Sequence, residues 1–88
     1  KFQVMYNLVY YKFSNKKLKR LLLHTGDSIL IEGNTWGDTC WGVCRSKGEN
    51  WLGRILMHVR LSLVLESQLK NRAKELKLID INVCKLCL

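Results

Sequence analysis

The chain has 88 residues, 48% apolar and 25% charged, with four cysteines and no proline. That is room for one small domain with a single core, and the balance is that of a folding chain rather than a disordered one. Fifteen Lys and Arg against seven Asp and Glu give a net charge of +8, which favours polyanions such as nucleic acid or phosphorylated metabolites without choosing among them.

The first residue is Lys1, and apolar Phe2, Val4 and Met5 follow with no leader, so we expect a piece of a longer chain, truncated at its N-terminus. Val4, Met5, Leu8 and Val9, with Lys12 following, predict a helix over 4–13. Ser14 or Asn15 is placed to cap a second helix through Leu23, with Leu18, Leu21 and Leu22 as its buried stripe and Gly26 as its stop. The short connection predicts a hairpin of these two helices. The cluster Lys16, Lys17, Lys19 and Arg20 reads as a solvated helix face or an anion-binding one.

Ser28 to Ile31 is short and rich in β-branched and apolar residues, which predicts a strand leading into Glu32. From Glu32 to Gly53 the periodicity fails, and glycines, the carboxylates of Glu32 and Asp38, and Trp36, Trp41 and Trp51 crowd together in the pattern of a pocket loop. Trp51 to about Leu76 predicts a long helix with Leu52, Ile55, Leu56, Val59 and Leu63 on one face and Asn50 as its cap. Beyond Glu66 the chain turns basic, then apolar from Leu78 to Leu88, where we expect a frayed helix and a terminal strand. The fold class expected is mainly α with a minor β element.

The run from Trp51 to Leu65 is interrupted by Arg54, His58 and Arg60 and is too short and too charged to cross a bilayer, so no membrane partner is expected. Cys40 and Cys44 are spaced C-x3-C, and Cys84 and Cys87 C-x2-C. Zinc is one reading of four cysteines. The first pair sits in the tryptophan-glycine segment and the second in an apolar tail, so reduced thiols in a cytoplasmic protein, with no metal and no cofactor, are expected instead.

Four blocks in order, V-M-Y-N-L-V-Y-Y-K-F (4–13), L-L-L-H-T-G (21–26), L-I-E-G-N-T-W-G-D-T-C-W-G-V-C (30–44) and G-E-N-W-L-G-R-I-L-M-H-V-R (48–60), resemble the NADAR family, also called YbiA-like N-glycosidases. The resemblance covers residues 1–62 and leaves 63–88 as a helix end and an unmatched tail. Family members carry, before this region, a strand pair and a helix with a Glu-His motif, so a single partial domain is implied. The implied activity is hydrolysis of an N-glycosidic bond between ribose and a base-like amine. Implied substrates are phosphoribosylamino-pyrimidine intermediates of riboflavin synthesis and ADP-ribosylated guanine, free or in nucleic acid.

Such a reaction passes through an oxocarbenium-like transition state, which a carboxylate stabilises while it activates water. Glu32 and Asp38 are the candidate catalytic carboxylates, with Trp41 beside them, and Trp36 or Trp41 can stack on the leaving base. Lys12, Arg45, Lys47 and Arg60, and the backbone N–H groups around Gly42, Gly48 and Asn50 at the start of the long helix, are the candidate phosphate donors. We favour the loop and helix start among them. Each has a structural alternative: Glu32 can bridge loop N–H groups, Asp38 can organise the turn through an Asx-type bond, and Arg60 can be an ion-pair partner. Trp51 reads as packing, and His24 and His58 as surface residues. The rival functions are a non-catalytic nucleotide-binding module and a small basic nucleic-acid-binding protein.

Overall fold

The structure is a computed structural model that describes residues 1–76. Three helices, α1 (Phe2–Lys12), α2 (Lys16–His24) and α3 (Trp51–Glu75), accompany one sheet of β1 (Gly33–Asn34) and β2 (Val43–Cys44). This is the mainly α arrangement with a minor β element. In place of the frayed helix expected past Glu66, α3 continues as regular helix to Glu75, and the terminal strand expected after Lys77, with Cys84 and Cys87, lies outside the described residues.

Helix α3 is the axis of the fold. Ile55, Val59 and Leu63 recur at four-residue spacing, and their stripe meets Val9 of α1 and Leu22 of α2 in one core, with Val59 fully buried. Leu52 and Leu56 are partly buried against the same core. The expected pairing of α1 with α2 is not what forms: both helices make their main contacts with α3. The reason lies in side chains far apart in sequence. Tyr6 Oη and Ser62 Oγ hydrogen-bond at 2.9 Å, and Tyr10 Oη donates to Glu66. Both partners advance by four residues together, so α1 and α3 run side by side in the same direction. The Glu66 hydrogen bond, helped by burial, pushes the Tyr10 hydroxyl from 10.0 up to about 12. Its contribution to stability is therefore present below the ordinary tyrosine range and fades as pH rises towards that value.

Facing α3 with Tyr6 and Tyr10 splits the stripe expected on α1. Met5 and Val9 turn inward, while Val4 and Leu8 are exposed. On α2, Leu22 is buried and Leu23 packs on the core, but Leu21, expected in the stripe, is exposed. The caps of α2 follow the sequence closely. Asn15 Oδ1 accepts from the N–H groups of Lys17 and Leu18, and Gly26 follows the helix at φ +64°, the left-handed position where a Cβ is costly.

The strand expected at Ser28–Ile31 is absent; the strand begins at Gly33. Ser28 and Leu30 find their hydrogen bonds on side chains of and beside α3 instead of on a second strand, as Arg60 donates to the Ser28 carbonyl and Asn50 to that of Leu30. Ile29 and Ile31 point outward, so the apolar run that predicted a strand has no sheet face to cover.

Candidate active site

The loop from Ser28 to Asn50 is held by side chains bonded to backbone. Glu32 is fixed on both sides: its N–H donates to Asn50 Oδ1 at 2.9 Å and its carbonyl accepts from Val43 N–H at 2.8 Å. Asn50 sits at φ 56°, ψ 39°, the left-handed conformation that asparagine tolerates. Although it occupies the N-cap position of α3, its side chain makes no capping bond there. Its amide bridges Leu30 and Glu32 instead.

Strands β1 and β2 are parallel, with Gly33 opposite Val43 and Asn34 opposite Cys44. A parallel pair requires the chain to travel back along itself, and residues 35–42 do so around two side chains. Asn34 Oδ1 accepts from Asp38 N–H at 3.0 Å and its Nδ2 donates to the Asp38 carbonyl at 2.8 Å. Asp38 Oδ1 in turn accepts from Cys40 N–H at 3.0 Å and Trp41 N–H at 2.9 Å. This is the Asx-type turn, so one oxygen of Asp38 organises the loop. Gly42 closes the return: a Cβ there would fall on the Glu32 carbonyl oxygen and lie 3.1 Å from Glu32 Cγ.

A tight turn follows, in which Cys44 and Lys47 exchange backbone hydrogen bonds of 2.8 and 3.0 Å around Arg45 and Ser46. Both central residues have positive φ, 52° and 66°, in a geometry that hairpins usually fill with Asn-Gly. The chain then enters α3, where the N–H groups of Glu49, Asn50, Trp51 and Leu52 donate to the carbonyls of Thr39, Gly42, Cys40 and Trp41. Of the candidate phosphate donors at the helix start, the N–H groups of Asn50, Trp51 and Leu52 are engaged with the loop itself, because the return of residues 39–42 lays their carbonyls across the end of α3.

Glu32, Asp38, Trp41, Gly42 and Asn50 are thus brought together in one hydrogen-bonded unit, with Gly48 set close against the Gly42 carbonyl. Glu32 and Asp38 are both half-buried. Trp41 packs edge-on against Phe2, with ring centroids 5.5 Å apart, and Trp36 stands 72% exposed in the loop. Lys47 is exposed on the turn. Lys12 and Arg60 are not brought in. Lys12 ends α1, about 15 Å along the helix from Phe2 at roughly 1.5 Å per residue, with its Nζ near the Phe13 ring. Arg60 is buried, and it donates to Thr25 Oγ1 and the Ser28 carbonyl, both at 2.8 Å. No carboxylate pairs with it among the described residues. Its charge rests against the C-terminus of α2, where helix carbonyls carry partial negative charge.

Sequence reasoning missed Asn34 and Phe2. Asn34 had a local signal, an asparagine four residues before an aspartate among glycines, whereas nothing near Phe2 marks its contact with Trp41. Among the described residues Cys40 and Cys44 are free, no metal-binding cluster forms, and no helix is long and apolar enough to cross a membrane.

The family model described as the NADAR domain matches residues 1–64. No curated protein and no solved structure matches the chain. The matched span contains α1, α2, the sheet, the whole loop and the first half of α3. The chain belongs to the NADAR family, which is associated with N-glycosidase-like hydrolysis.

Proposed function

We propose that the loop hydrolyses the N-glycosidic bond between a phosphoribosyl or ADP-ribosyl group and a base-like amine. The observation that carries this reading is Glu32. Its backbone is tied down at both N–H and carbonyl, yet its carboxylate takes no hydrogen bond or ion pair among the described residues. The fold fixes its position and leaves its charge unused.

In this reading Glu32 lies under the anomeric carbon, stabilises the oxocarbenium-like charge and activates water. Trp36, flat and exposed, offers a face to the leaving base. With the N–H groups of Asn50, Trp51 and Leu52 already engaged, the phosphate falls to the exposed side chains of Arg45 and Lys47 on the tight turn. Riboflavin-pathway phosphoribosylamino-pyrimidines and ADP-ribosylated guanine both present this bond.

One observation favours a second reading. Asp38 spends an oxygen on two backbone N–H groups, which leaves one unengaged carboxylate for a reaction that commonly uses two. A non-catalytic module would bind ADP-ribose and release no base.

The test is incubation of the protein and its Glu32→Gln variant with ADP-ribosylated guanosine and with a phosphoribosylamino-pyrimidine, followed by mass spectrometry of released base and sugar. Turnover by the parent, reduced about 10²- to 10⁴-fold in Glu32→Gln at an unchanged melting temperature, is expected. A fully active Glu32→Gln protein overturns the assignment, and ADP-ribose binding without turnover selects the second reading.

A further inference from the structure

We infer that the groove between the starts of α1 and α3 binds the flat heteroaromatic ring of a nucleoside monophosphate, at a site apart from the Glu32 loop. The groove is a cavity of about 430 Å³ lined by Phe2, Gln3, Tyr6, Trp51, Ile55 and His58. A neighbouring recess of about 260 Å³ shares Tyr6, Trp51, Ile55 and His58 and adds Arg54. The volume falls in the range of small-molecule sites, roughly 300–1,000 Å³.

Both walls are aromatic. Phe2 and Trp51 stack with centroids 4.5 Å apart, and Tyr6 and His58 lie 5.6 Å apart at an interplanar angle of 60°. The walls are set before a guest arrives, since Arg54 lies 4.7 Å over the Trp51 ring and Tyr6 Oη is anchored on Ser62. Preset apolar walls favour a rigid planar guest over a flexible one. Gln3 donates its Nε2 to Asn7, which leaves its Oε1 to accept from an exocyclic amine on the ring.

The rim is basic and contains no carboxylate among the lining residues. Lys1 Nζ stands 5.5 Å from the centroids of both Phe2 and Trp41. Arg54 is held at 3.8 Å by Glu49, and both side chains are more than half exposed. A phosphate can replace that loose pair. Apolar walls with cations at the mouth fit a nucleotide better than a neutral aromatic or a sugar phosphate.

The test is titration calorimetry of the full chain at low salt with AMP, adenosine and ribose 5-phosphate. AMP should bind at least about tenfold more tightly than either part. His58→Ala and Arg54→Gln, both at exposed positions that leave the core untouched, should each weaken AMP several-fold, and Lys70→Gln, at an exposed cation farther along α3, should leave it unchanged. Equal affinity for AMP and ribose 5-phosphate would reduce the site to a cationic surface and overturn the inference. So would the absence of AMP binding, indifference to both groove variants, or loss of binding in Lys70→Gln. Because turnover at Glu32 is read separately, AMP binding without hydrolysis leaves the groove standing, and hydrolysis without AMP binding leaves the loop standing.

Discussion

The layer of α1 on α3 and the loop from Ser28 to Asn50 are ordered by different forces. The helices are joined by Val9, Ile55, Val59 and Leu63 and by two tyrosine hydrogen bonds, so their order comes chiefly from apolar surface removed from water. The loop buries only Gly42 and Cys44, and it is held by the side chains of Asn34, Asp38 and Asn50 bonded to backbone. Packed surfaces give way a little when a side chain changes size. A hydrogen-bonded return with backbone against backbone does not, and it is the loop that holds the candidate chemistry.

That contrast is broken most severely at Gly42. Gly42→Ala puts a methyl group on the Glu32 carbonyl, where only backbone movement relieves the clash, and should cost about 3–4 kcal/mol. Val59→Ala, in the fully buried position of the helix layer, should cost less, about 2 kcal/mol. Urea denaturation of the two variants measures the order, and a milder Gly42→Ala would refute the rigidity of the loop. Asp38 gives the next effect. Asp38→Ala removes the acceptor of two N–H groups and should cost about 1–3 kcal/mol, whereas Asp38→Asn retains the Oδ1 acceptor and should stay within about 0.5 kcal/mol of the parent. Turnover lost in Asp38→Asn at unchanged stability would give its charge a chemical task beside the structural one. The smallest effect runs the other way: Ser46→Gly, at φ 66°, should raise stability by about 0.5 kcal/mol, seen as a higher urea midpoint.

The parts of the fold that sequence anticipated are those decided locally. Asn15, Gly26 and the stripe of Ile55, Val59 and Leu63 announce themselves within a turn or two of helix. The parts it misplaced depend on partners chosen at long range. Ser28–Ile31 has the composition of a strand, but its carbonyls meet Asn50 and Arg60, and no rule of spacing brings those side chains there. The hairpin of α1 and α2 was expected from a short connection, yet Tyr6 and Tyr10 found partners on α3, in the second half of the chain. Within the candidate site, Glu32 and Asp38 were visible as carboxylates among glycines. That Asp38 would organise the turn while Glu32 kept its charge free depended on which backbone N–H groups the return path presented.

The double anchoring of Glu32 separates the placement of a functional group from its identity. Since Asn50 and Val43 hydrogen-bond the backbone of Glu32, the position works as a fixed mount on which a different side chain can be seated with little disturbance to the scaffold. A cysteine or histidine there would give protein engineers a nucleophile or a metal ligand at a known point in a loop whose geometry other residues maintain.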